Sequence, residues 1–140
     1  MAILDRIGTI IRANLNEMLD RAEDPEKMLD QIMRDMQSAI SDARGQVAEM
    51  IAQQRMIESA VQRTTAMVNE WEAKAKAAVG QGRDDLARDS LRRKADYAKN
   101  VALYQQQLDT QRGLVQKLKD DLAKLEFKYD DALRHRDELV

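Results

Sequence analysis

The sequence predicts an all-α fold, an amphipathic N-terminal helix followed by a long antiparallel coiled-coil hairpin. Three observations carry this. The 140 residues hold one proline and five glycines, with charged residues at 34% and aromatics at 4%, a profile of long helices and not of a globe with a deep core. From Pro25 to Ala78 the chain keeps a seam that steps by four and three through Leu29, Met33, Met36, Ile40, Ala43, Val47, Met50, Gln54, Ile57, Val61, Thr64, Val68, Trp71, Ala75 and Ala78, and only Gln54 and Thr64 are polar. Gly80-Gln81-Gly82 then separates this stretch from a second one of matched length and period. A strict 3.5-residue period drifts out of register on a straight helix, so each stretch is expected to wind left-handed against a partner.

Residues 1–22 come first and form a separate element. Ile3, Leu4, Ile7, Ile10, Ile11, Leu15, Met18 and Leu19 fall at helical spacing and make one broad apolar face, with Asp5, Arg6, Thr9, Arg12, Asn16 and Asp20 largely opposite. Up to Asn16, Arg6, Arg12 and the terminal amine outnumber Asp5. Such a helix suits the plane of an anionic membrane surface, with Arg6 and Arg12 adding charge attraction to the eight apolar side chains. The same periodicity also fits a helix folded back on the coiled coil or on a neighbouring subunit.

Asp24 is a good N-cap, Pro25 fits the first helical position and Glu26 adds negative charge to the first turn, so the first arm of the hairpin starts at Pro25 and runs to about residue 79. Gly45 is the strongest breaker inside it, at about 1 kcal/mol relative to Ala. At roughly 1.5 Å per residue this arm is on the order of 80 Å long. Asp30 with Arg34, Glu70 with Lys74 and Glu72 with Lys76 are four apart in the favourable order and support the helix. The turn is expected at residues 80–82, with Gly80 in the left-handed conformation.

The second arm spans about 83–140, through Ala87, Ser90, Lys94, Tyr97, Val101, Tyr104, Leu108, Gln111, Val115, Leu118, Leu122, Leu125, Tyr129, Ala132, Arg136 and Leu139. A tight turn between matched arms makes an antiparallel hairpin in which facing positions have numbers adding to about 162. The seam is weakest near the turn, at Ser90 and Lys94, and strongest from Val115 to Tyr129. Asp137 and Glu138 oppose the dipole of the last turn, so the arm reads as cut short.

Composition also excludes several classes of function. Net charge is -2 with an isoelectric point near 5.5, and Lys and Arg alternate with Asp and Glu throughout, which offers nucleic acid no basic stripe. Without cysteine there is neither a disulfide framework nor a thiolate metal site. No stretch approaches 18 uncharged apolar residues, so none is expected to span a bilayer, and the charges at Asp5, Arg6 and Arg12 break the pattern of a signal peptide.

Specific blocks resemble a known family. Ile3-Leu4-Asp5-Arg6-Ile7-Gly8, Ala13-Asn14-Leu15-Asn16, Ala22-Glu23-Asp24-Pro25-Glu26-Lys27-Met28-Leu29 and Asp85-Leu86-Ala87-Arg88 are similar to the phage shock protein A (PspA) and vesicle-inducing protein in plastids family, bacterial and plastid relatives of the ESCRT-III proteins. The resemblance covers the whole chain. It implies a first helix that binds stressed or anionic membrane, a long helical hairpin, and homo-oligomeric rods or rings that remodel and protect the membrane in envelope stress. It places the protein in the cytoplasm, peripheral on the inner face of the plasma or thylakoid membrane. It also implies, as the alternative, a cytosolic coiled coil that binds and inhibits an AAA+ transcriptional activator. Family members usually exceed 200 residues, so this sequence reads as C-terminally truncated and is expected to be a monomer or small oligomer.

Nothing in the residues calls for a cofactor or a metal. Gly80-Gln81-Gly82-Arg83 lacks the spacing and the Lys-Ser/Thr pair of a phosphate loop, and His135 has only Asp131 one turn before it. The family resemblance also implies a weaker alternative, nucleotide hydrolysis as in some ring-forming relatives, with an arginine and carboxylates that match Arg44 and Glu126 here. Both read as ordinary helix-surface charges, so the chain is not expected to be an enzyme. Met28, Met33, Met36, Met50 and Trp71 read as seam.

Overall fold

The computed structural model describes the backbone of residues 2–139 and the side chains of residues 2–138. Four helices follow one another, α1 (Ala2–Arg12), α2 (Leu15–Asp20), α3 (Pro25–Gly80) and α4 (Asp84–Leu139), and no strand occurs among the described residues. The chain is therefore an all-α helical hairpin with two short helices ahead of it. The side chain of Leu139, expected at the end of the seam, lies outside the described residues.

Residues 1–22, expected as one helix, are two. Asn14 leaves the helical conformation, with φ -95° and ψ 105°, and its side chain accepts from the Glu17 amide at 3.1 Å. That cap satisfies an otherwise orphaned donor and starts α2, so the continuous apolar face hides a joint at residues 13 and 14. Asp24 caps α3 in the same way, accepting from the Lys27 amide at 3.2 Å.

The turn also differs in detail from expectation. Gly80 remains helical, and Gly82 is the residue with positive φ, at 70°. The Arg83 amide donates to the Ala78 carbonyl at 2.9 Å and the Gly82 amide to that of Val79 at 3.1 Å, the paired bonds of a Schellman motif. Gly82, which lacks a Cβ, is the residue that can adopt the left-handed geometry this motif requires.

Tertiary contacts divide the molecule into two compact units, one from residues 2–50 with 114–139 and the other Ile51–Gly113. In the second unit the buried residues are small, Ala60, Ala75, Ala78, Ala87 and Ser90, with Leu108 the exception. Ile57, Val61, Trp71, Tyr97 and Tyr104 are only half-buried, because two helices alone cannot enclose a seam. Polar pairs bridge the arms there: Lys94 to Glu72 at 3.3 Å, Gln111 to Gln53 at 3.2 Å and Arg112 to Glu58 at 3.5 Å. Glu72 thus pairs across the hairpin and not with Lys76 on its own helix. The Trp71 ring carries Lys74 Nζ at 4.2 Å and Arg93 Cζ at 4.9 Å over its face.

The first unit has the thicker core. Leu29, Met33, Met36, Ala39, Ile40, Ala43 and Met50 of α3 are buried, as are Val115, Leu118, Leu125 and Ala132 of α4, while Val47, Leu122 and Tyr129 are half-buried. Ile7 of α1 and Leu15 and Leu19 of α2 complete it.

The register is offset from a sum of 162. In the first unit Gln37 bonds Tyr129 and Arg44 meets Glu126, numbers that add to 166 and 170. In the second, the three bridging pairs above add to 166, 164 and 170. Two causes act together. The left-handed residue is Gly82, which moves the centre of the turn, and helical side chains lean toward their own N-terminus, so each contact is made by a residue about one position later on each arm.

Candidate functional site

Helix α1 is far more one-sided in its hydrophobicity than either long helix, and it lies folded back within the first unit. Of the residues expected to bind membrane, Ile7 has no exposed surface and Leu15 and Leu19 are buried. Ile3, Leu4, Ile10 and Ile11 are half-buried, and Arg6, Arg12 and Met18 are exposed. The apolar stripe of α1 is therefore seated on protein in this state, the folded-back arrangement that periodicity left open.

Two cations fix the seat. Arg6 Nη1 lies 3.0 Å from Asp42 Oδ2 of α3, with the two side chains 41% and 56% exposed, and Arg6 Nη2 donates to the Asp35 carbonyl at 3.5 Å. At the C-terminal end of α1, Lys128 Nζ of α4 donates to the Ile11 carbonyl at 2.6 Å and to the Ala13 carbonyl. The last carbonyls of a helix have no intrahelical partner and carry the negative end of its dipole, so a cation from a neighbouring helix is well placed there. Burial pushes the Lys128 ammonium below the ordinary lysine range, and the Asp131 carboxylate pulls it partly back up. Neither Asp42 nor Lys128 stands out in the sequence. Each is one charged residue among many on an outer helical face, and only the docked α1 gives it a role.

Beside Ile11 runs a groove of about 540 Å³, lined also by Ala123, Lys124, Phe127, Lys128 and Asp131. Phe127 is 69% exposed beside it.

The structure also brings Arg44 and Glu126 together, with Arg44 Nη2 3.5 Å from Glu126 Oε1 across the arms. They border a shallow cavity of about 410 Å³ with Gln37, Ile40, Ser41 and Tyr129. The pair neutralises itself, and both side chains are well exposed, so its geometry is that of a surface clasp between arms. His135 lies 3.8 Å from Asp131 and 3.7 Å from Glu138. Among the described residues no three His, Asp or Glu side chains gather as a set of metal ligands, and no helix is long and apolar enough to cross a membrane.

Comparison with known proteins gives a consistent result. The family model described as PspA/IM30 matches residues 2–140. The chain is 40% identical over 132 residues to the membrane-associated protein Vipp1 of Synechocystis, covering 94% of this chain and 49% of that protein. It is also 40% identical over 131 residues to a phage shock protein A homolog of Deinococcus radiodurans, covering 94% of this chain and 59% of that protein. A more distant relative, protein LiaH of Bacillus subtilis, is 25% identical over 138 residues, covering 99% of this chain and 61% of its own length. The chain thus spans about half the length of the first curated relatives it matches.

Proposed function

Because the chain belongs to the PspA/IM30 family, we propose that it is a peripheral membrane protein of membrane maintenance and envelope stress, which acts by moving α1 from its seat on the hairpin into the surface of an anionic bilayer. The observation that carries the reading is the docked state of α1. A strongly one-sided helix of 11 residues rests on the hairpin as a separate piece, jointed at Asn14 and again before Pro25. A bilayer interface offers Ile3, Leu4, Ile7, Ile10 and Ile11 the same relief from water that the seat does.

Magnitudes set the character of the binding. Each large apolar side chain contributes about 1.5–3 kcal/mol when fully buried, and insertion first costs the contacts of the seat and the ordering of a freed terminus. One helix therefore binds weakly and reversibly. Useful affinity comes from packing defects that ease insertion, or from several copies presented together in a homo-oligomer. On this reading the protein works at the inner face of a plasma or thylakoid membrane and remodels it by assembly.

Co-sedimentation with phosphatidylglycerol-containing vesicles tests the proposal. The chain should sediment with these vesicles, and Ile10→Glu, which puts a charge in the apolar stripe, should abolish it. A chain that ignores such vesicles would favour the cytosolic regulator of an AAA+ activator.

A further inference from the structure

The seat buries Ile7 and half-covers Ile3, Leu4, Ile10 and Ile11, so part of the apolar gain is already made in the docked state and the polar contacts weigh on the choice between seat and bilayer. Two polar contacts do so, one at Arg6 in the middle of α1 and one at its C-terminal carbonyls. Arg6 has a single guanidinium, occupied in the docked state by the Asp42 carboxylate at 3.0 Å and the Asp35 carbonyl at 3.5 Å. A lipid phosphate offers the same planar fork a bidentate partner and competes with Asp42 for its N–H donors. Lys128, 117 residues from Ile11 in sequence, holds the Ile11 carbonyl only while α1 is docked.

From this we infer that Arg6 and Lys128 form a two-point polar latch that keeps α1 on the hairpin, and that an anionic lipid headgroup opens it by replacing Asp42 on the Arg6 guanidinium. The inference rests on the reading of α1 as a membrane-binding helix and adds its regulation. A zwitterionic headgroup pairs its phosphate with its own ammonium and has no net charge to draw Arg6, so the latch makes release selective for anionic bilayers. Both latch points are modest. An ion pair as exposed as Arg6–Asp42 shifts an equilibrium by roughly twofold to fivefold, and loss of the Lys128 hydrogen bonds shifts it by about tenfold. Shifts of that size bias a two-state helix without locking it.

The experiment has a lipid-free arm and a vesicle arm. In the lipid-free arm, amide hydrogen exchange of residues 3–12 reports opening of α1. Asp42→Asn should speed it about twofold to fivefold and Lys128→Met about tenfold. In the second arm both variants should bind phosphatidylglycerol-containing vesicles more tightly by similar factors, a gain of function. Asp30→Asn removes the same charge from α3 twelve residues earlier and serves as the control for bulk electrostatics. Unchanged α1 exchange in Asp42→Asn and Lys128→Met overturns the latch. So does an Asp30→Asn variant that gains as much vesicle affinity as Asp42→Asn. Vesicle binding that requires Ile10 but is indifferent to Asp42 and Lys128 overturns the latch alone. Failure of every variant to bind vesicles overturns headgroup exchange together with the membrane reading.

Discussion

Gln37 Nε2 donates a 2.6 Å hydrogen bond to the Tyr129 hydroxyl, tying two residues 92 apart in sequence and fixing the register of α3 on α4 in the first unit. A double-mutant cycle tests this register. Gln37→Ala and Tyr129→Phe should couple by about 0.5–1 kcal/mol in urea unfolding, the net value of one exposed hydrogen bond. Additive effects would contradict the pairing.

Burial separates residues of α4 that hydropathy alone ranks together. Leu118 and Leu125 have no exposed surface, whereas Phe127 is 69% exposed. Leu118→Ala or Leu125→Ala should each cost about 2–5 kcal/mol. Phe127→Ala should change stability by less than about 0.5 kcal/mol, although it removes the larger side chain. Equal losses at all three, measured by urea unfolding, would contradict this core.

Ser90 is fully buried, and its hydroxyl has no hydrogen-bond partner among the described residues. It belongs to the same small-residue set as Ala75, Ala78 and Ala87, where the arms leave no room for a large side chain. Ser90→Ala removes an unpaired buried polar group at nearly constant volume. It should raise stability by about 1 kcal/mol, and Ser90→Leu should lower it by overpacking. A thermal melt of the two variants checks both signs.

Much of the hairpin is legible in the sequence because its signals are local. Asp24-Pro25 starts α3, and the glycines at 80 and 82 end it. What the sequence leaves open depends on neighbours. The Asn14 cap has a local signal, with Glu17 three residues on, but an apolar period running straight through it masks the joint. Gly80 and Gly82 are equivalent as letters, and only the bonds to Ala78 and Val79 decide which becomes left-handed. The stripe from Ile3 to Leu19 states that a face must be covered and is silent on what covers it. Asp42 and Lys128 carry no pattern at all, since their role exists only once α1 is docked.

The lowered pKa of Lys128 fixes the sign of a pH effect. Its folded-state value lies below the ordinary 10.5, so between the two the unfolded chain binds more protons than the folded one. Stability should therefore rise as pH climbs through that window, as the cost of a buried ammonium is relieved while the neutral amine still donates to Ile11 and Ala13. Urea midpoints of the wild type minus those of Lys128→Met should show this slope in the alkaline range below 10.5. A difference that falls with pH there would contradict the burial of Lys128.

The central claim is that α1 exchanges its protein seat for lipid, and an electron-spin distance between α1 and α4 tests it most directly. The chain has no cysteine, so nitroxides can be placed at Thr9→Cys and Lys124→Cys, both exposed. Without lipid the distance distribution should be short and narrow, as expected for a docked helix. With phosphatidylglycerol-containing vesicles it should lengthen and broaden, and with phosphatidylcholine vesicles it should stay as it was. A short, narrow distribution retained by chains fully bound to anionic vesicles would show that α1 never leaves the hairpin, and the account would be wrong.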